Sequence, residues 1–152
     1  MRIWVDADAC PGAIRDIIVR AAMRRGVMTT FVANKSLNIP GSPHLAAMRV
    51  SQGFDVVDET IASLVQAGDL VITADIPLAA KVVERGGTGL NPRGELYTHE
   101  NIGARLTMRN MLDELRSTGV ATGGPAPLSL ADRNAFANQL DKYLTAQARP
   151  AT

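Results

Sequence analysis

Within 152 residues, 46% of them hydrophobic and only 4% aromatic, the core has to be aliphatic, and the chain is long enough to bury about two-thirds of its unfolded surface as one domain. A net charge of +1 gives no large basic field, although thirteen Arg against three Lys suits bidentate phosphate contacts. One cysteine excludes an internal disulfide and a multi-Cys zinc site, and there is neither a charged-then-apolar leader nor an apolar run near the roughly eighteen residues of a membrane span, so the expected setting is cytoplasmic.

In chain order, Ile3 to Val5 is a compact apolar run, followed by helical spacing from Pro11 to Arg25 that Gly26 ends. Met28 to Ala33 reads as a second strand. Asn34 to Pro43 is rich in turn formers, and Leu45 to Ser51 reads as a short helix. Phe54 to Val57 reads as a third strand, Glu59 to Gln66 as helix, Leu70 to Thr73 as a fourth strand and Pro77 to Arg85 as helix, closed by Gly86-Gly87. This βα alternation predicts an α/β domain with a mostly parallel sheet of four to five strands, right-handed crossovers and flanking helices. The remainder carries the turn Asn91-Pro92-Arg93-Gly94, a helix from Asn101 to Ser117, a loop from Gly119 to Pro127 and a last helix from Ala131 to Ala146, capped by Ser129 or Asp132. Met23, Met48, Met108 and Met111 stand at helical spacings among Leu and Ala and are taken as core.

Both Met1-Arg2-Ile3-Trp4-Val5 and Asp69-Leu70-Val71-Ile72-Thr73-Ala74 run into aspartate, at Asp6-Ala7-Asp8 and at Asp75, and a proline-started helix follows each. If the two strands are neighbours, their carboxylates meet at the carboxyl edge of the sheet, where open α/β folds hold ligands. Asp58, at the end of the predicted third strand, is a fourth candidate. Carboxylates within about 4–6 Å raise one another's pKa, and a bound Mg²⁺ or Mn²⁺ relieves the conflict because hard cations prefer carboxylate oxygen and water. A lone strand-end aspartate is more often a helix N-cap. Here Pro11 and Pro77 already favour the helix starts, which leaves Asp6, Asp8 and Asp75 free for another role. Asp55 and Asp69 read as solvated turn residues. Arg93 and Arg133 are candidate phosphate clamps, while Asn34 and Ser36 either contact a substrate backbone or shape the turn after strand two. Cys10, with no nearby histidine partner, reads as a small packed hydrophobe.

Val5-Asp6-Ala7-Asp8-Ala9-Cys10-Pro11, Thr73-Ala74-Asp75-Ile76-Pro77-Leu78-Ala79, Asn91-Pro92-Arg93-Gly94-Glu95 and Gly124-Pro125 with Asp132-Arg133 and Phe136 together resemble the bacterial YaiI/YqxD family, from residue 1 to about 144. That family is grouped with PIN-like domains, so the resemblance implies a three-layer PIN-like domain over residues 1–147, with 148–152 expected as a disordered tail. It also implies a Mg²⁺- or Mn²⁺-dependent nuclease acting on RNA ahead of DNA, compatible with a homodimer. Carried over position by position, the PIN-like acids fall on Asp6 with Asp8 beside it, on Asp58 and on Asp75; Asp132 matches the family's own Asp-Arg motif and is a further possible metal ligand. Many PIN nucleases carry one more acid just after the Asp75 position, where this chain reads Ile76-Pro77-Leu78-Ala79-Ala80. The departure leaves open one metal or two, and leaves a catalytically inactive metal- or RNA-binding protein as an alternative. Asp6-Ala7-Asp8-Ala9-Cys10 also looks like the opening of haloacid-dehalogenase-type phosphatases, with Asp6 as nucleophile; Cys10 replaces their threonine, and Lys81 lies on the wrong side of Asp75.

Overall fold

The computed structural model describes residues 1–53, 55–123 and 126–148. Phe54, the Gly124-Pro125 pair and residues 149–152 of the expected tail lie outside them. The strands are β1 (Ile3–Asp6), β2 (Thr29–Ala33), β3 (Leu45–Arg49), β4 (Leu70–Ile72), β5 (Thr88–Leu90) and β6 (Leu96–Tyr97). The helices are α1 (Gly12–Arg25), α2 (Val56–Leu64), α3 (Ile76–Glu84), α4 (Ile102–Ser117) and α5 (Leu130–Ala148), and a short 3₁₀ turn covers Ala7–Ala9. They build one α/β sheet of six strands in the order β3-β2-β1-β4-β5-β6, all parallel except the β5–β6 pair. Among the described residues no helix is long and apolar enough to cross a membrane.

Side chains alternate across a strand, and this parity decides which layer each residue joins. Ile3, Val5, Phe31, Leu70 and Ile72 face one way and pack against Ile14 and Ile18 of α1 and Phe136 and Leu140 of α5. Trp4, Val32 and Val71 face the other way, onto Val57 and Ile61 of α2 and Leu78 and Val82 of α3. Asp6 shares the parity of Trp4, so the strand end aims it at the side of the sheet that α2 and α3 cover. The first turn of α2 carries Asp58, and Asp75 is the N-cap of α3.

Several expected elements differ. The stretch from Leu45 is strand, not helix: it pairs in register with β2, Thr29 opposite Leu45 through Ala33 opposite Arg49, and pairing at the sheet edge overrides the helix propensity of Leu-Ala-Ala-Met. With that edge taken, Val56 and Val57 open α2 instead of ending a third strand, after Asp55 in the left-handed conformation (φ 63°). Asp69 is buried, not solvated. Its carboxylate accepts from the backbone N–H groups of Arg2 (3.0 Å) and Gln66 (2.9 Å) and from Trp4 Nε1 (3.1 Å), tying the amino edge of the sheet together. Of the four methionines taken as core, only Met48 packs against buried side chains; Met23, Met108 and Met111 are about half exposed. For Met108 and Met111 the reason is position, because α4 lies outside α3 and contributes no buried residue.

Gly26 closes α1 in the left-handed conformation, as expected, and the Asn91–Gly94 turn forms, with Asn91 Oδ1 accepting from the N–H groups of Arg93 and Glu95. Gly94 (φ 91°) passes so close under α5 that a Cβ would sit 2.7 Å from the Ala135 carbonyl carbon, so this turn and α5 are fixed against each other. Ser129 and Asp132 cap α5 together: the Asp132 N–H donates to Ser129 Oγ and the Ser129 N–H to Asp132 Oδ2.

Candidate metal centre

After β1 the chain runs through β2 and β3 on one side and then returns to place β4 on the other, so the β1/β4 gap is a topological switch point, where the loops diverge and leave a crevice at the carboxyl edge. Asp6 ends β1 there. Only 8% of its surface is exposed, and its Oδ2 accepts from Thr73 Oγ1 at 2.9 Å. The same Thr73 oxygen accepts from the Asp75 N–H at 3.0 Å, so one hydroxyl fixes both strand-end acids. Contrary to the expectation that Pro77 relieves Asp75 of capping, Asp75 Oδ1 caps α3 by accepting from the Leu78 N–H at 2.9 Å, because the proline sets the backbone of the first turn but leaves the Leu78 N–H in need of an acceptor. Strand reasoning alone gave Thr73 no such role; its two-residue offset from Asp75 was the signal available, since Ser and Thr hydroxyls commonly bond to the backbone two residues on.

Asp58 reaches the cluster from α2 and comes within hydrogen-bonding range of Asp75. Burial, that hydrogen bond and the negative charges of Asp75, Asp6 and Asp55 push its carboxyl up to about 7, so near neutrality it holds a proton for much of the time. Burial also raises Asp6, more than the Thr73 hydroxyl lowers it, with Asp75 and Asp8 adding repulsion. Three carboxyls from three separate elements thus influence one another through a partly dry gap.

Asp8 lies on the 3₁₀ turn beside them. Its Oδ2 accepts from the Asn34 N–H at 2.9 Å, and its Oδ1 is the one buried side-chain nitrogen or oxygen among the described residues without a hydrogen-bond partner. Asn34 therefore acts through its backbone. Ser36 Oγ is exposed and accepts from Arg49 Nη1 at 3.2 Å. Arg93 borders a cavity of about 270 Å³ that Ala9 and Ala74 also line, and its guanidinium binds Asp132 Oδ2 (2.6 Å) and the Ala126 carbonyl. The capping bonds from Ser129 and the Arg93 charge hold Asp132 below the usual carboxylate range; its partners are these groups, not the strand-end acids. Arg133 is exposed on the first turn of α5. The Cys10 thiol is pushed up to about 12 by burial and packs beside the α1/α5 core, as a small hydrophobe does.

Among the described residues no three His, Cys, Asp or Glu side chains stand converged as a finished ligand set. The donors present are all carboxylate oxygens, the type a hard divalent cation takes, and the partnerless Asp8 Oδ1 beside a mutually repelling group fits such an ion.

A family model described as "Uncharacterized BCR, YaiI/YqxD family" matches residues 4–146, so it takes in every element of this crevice. The chain belongs to the YaiI/YqxD family. It is 60% identical over 144 residues to a UPF0178 protein of Thioalkalivibrio sulfidiphilus, covering 95% of this chain and 98% of that one. A UPF0178 protein of Dechloromonas aromatica is 62% identical over 144 residues, with 95% and 96% covered, and one of a Janthinobacterium species is 60% identical over 147, with 97% of each covered. No solved structure matches.

For this YaiI/YqxD chain the crowding has a measurable sign. The folded-state pKa of Asp58 lies above its unfolded value of 3.8, so the folded form binds the proton more tightly and stability falls as pH rises from about 4 to about 7. Asp58→Asn removes that loss. In EDTA, urea unfolding is expected to show the variant about 1 kcal/mol more stable than the parent at pH 8 and no more stable at pH 4, a figure reduced from the full shift because Asp58 is partly solvated. An equal difference at both pH values contradicts the crowding.

Proposed function

We propose that the protein is a cytoplasmic, PIN-like, Mg²⁺- or Mn²⁺-dependent nuclease that hydrolyses phosphodiester bonds, in RNA ahead of DNA. The observation that carries the reading is the gathering of Asp6, Asp58 and Asp75 from β1, α2 and α3 at the sheet's switch point, where their charges oppose one another. Asp6 and Asp75 would hold the cation, with Asp58 and the free Oδ1 of Asp8 completing its shell directly or through water. When bound, the cation polarises a phosphate oxygen and lowers the pKa of a water molecule. Thr73 keeps Asp6 and Asp75 in register, and Asp58 and Asp8, where they meet the cation through water, would orient the attacking water.

A second reading, a PIN-like protein that binds metal or RNA without turnover, is favoured by Ile76 to Ala80, where the further acid of many PIN nucleases is missing. The phosphatase reading fits less well, because Thr73 occupies one oxygen of an Asp6 that is almost fully covered. Incubating the purified protein with single-stranded and structured RNA, with Mn²⁺ or with EDTA, separates the three. The nuclease reading expects Mn²⁺-dependent fragments and no protein-bound phosphate. RNA that stays intact under every metal condition sinks it, and an aspartyl-phosphate trapped from a small phosphoester points to the phosphatase.

A further inference from the structure

Helix α4 has two apolar aspects. Ile102, Leu106 and Leu112 are half-buried, while Met108, Met111 and Leu115, with Leu112 at their edge in the i, i+3, i+4, i+7 spacing, make a stripe that among the described residues stays largely exposed. Along one margin of that stripe run Arg105, Arg109 and Arg116, on one helix face over about 16 Å. These three arginines, with Met108 and Leu112 between them along the helix, line a groove of about 370 Å³ whose other walls are Ala74, Ile76 and Glu95. Ala74 and Ile76 flank Asp75, so the groove opens beside the acidic cluster.

We propose that this groove is the track for a single-stranded nucleic acid: the α4 arginines hold successive phosphates, and Met108 and Leu112 give the bases an apolar floor, leading the strand to the Asp6–Asp75 edge. The proposal rests on the nuclease reading for its direction, and on charge complementarity for its occupant. Arg105 pairs with Glu95, while Arg109 (3.1 Å) and Arg116 (3.2 Å) share the single carboxylate of Asp113, so three cations face two anions. All these side chains are at least one-third exposed, and solvent-exposed pairs contribute little, so phosphate can displace the acids at small cost. Among the described residues that line the groove none is aromatic, so affinity comes mainly from phosphate contacts, which makes binding tolerant of sequence and sensitive to salt.

The test is fluorescence anisotropy of a short labelled oligouridylate with the full chain in EDTA, so that neither metal nor cleavage enters the measurement. Binding is expected with a log–log salt slope of about −2, from three phosphates at about 0.7 each. Arg109→Ala with Arg116→Ala should weaken it about tenfold at low salt and flatten the slope by about 1.4, with an unchanged thermal midpoint, since both residues are exposed. Asp75→Asn should bind at least as well as the parent. No binding by the parent, or an unchanged slope in the double variant, overturns the groove; so does a dimer, seen by sedimentation, that the double variant dissociates without loss of RNA binding. If the oligonucleotide binds as described yet is never cut in Mn²⁺, the nuclease reading fails and the groove stands. Cleavage that persists in the double variant with an unaltered KM does the reverse.

Discussion

Asp75→Asn is expected to lose Mn²⁺ binding in calorimetry and to lower Mn²⁺-dependent RNA cleavage by about 100-fold or more, while the protein stays folded. The fold should survive because the wild-type carboxylate has a structural task that an amide can also perform. Asparagine is as good an N-cap as aspartate, and its Oδ1 can accept from the Leu78 N–H as Asp75 Oδ1 does. The bond from the Asp75 N–H to Thr73 belongs to the backbone and is untouched. What disappears is a negative charge that raises both Asp58 and Asp6, so the metal-free variant should melt no lower than the parent and Asp58 should titrate closer to an ordinary carboxyl. Unchanged Mn²⁺ affinity removes Asp75 from the metal centre. A collapsed fold instead means that the loop from Thr73 needs the charge itself.

At the opposite edge of the sheet, Asp69→Ala is expected to destabilise the protein by about 4 kcal/mol. The substitution strips acceptors from three donors at once: the N–H groups of Arg2 and Gln66 and the indole of Trp4, a β1 side chain buried against α2. Each buried donor left without a partner costs about 1–3 kcal/mol, moderated here where water can reach the chain end at Arg2. Asp69→Asn should lose less, since the amide keeps one acceptor oxygen. Urea unfolding followed by the fluorescence of Trp4, the sole tryptophan, reads both the stability and the indole's environment. A loss below about 1 kcal/mol shows that these bonds are replaced by water and do not tie β1 to β4.

The two aspartates illustrate how sequence and structure divide the explanation. Asp6 and Asp75 are legible as strand-end acids because each follows a short apolar run and precedes a proline-started helix, both local signals. Asp69 has the same local setting as many exposed turn residues, and only the partners brought to it from 65 and 67 positions away make it a buried anchor. Thr73 likewise reads as one more strand residue until β4 lies beside β1 and its hydroxyl meets Asp6.

By itself the sequence determined the periodicity: β1, β2 and β4, helices α1, α3, α4 and α5 and most of α2, the stop at Gly26 and the Ser129–Asp132 cap of α5, the mostly parallel α/β architecture and the acidic strand ends. Those follow from side-chain spacing and backbone preference over a few residues. Tertiary structure decided the edges. Leu45 to Arg49 has helical composition yet becomes β3 because β2 offers unpaired backbone groups on that side, and Val56-Val57, with β-strand composition, is left to start α2. It also decided that the Met108–Leu115 stripe stays uncovered, because a helix periodic enough to be buried meets a neighbour on only one of its apolar faces, and nothing local records how many faces a neighbour will cover.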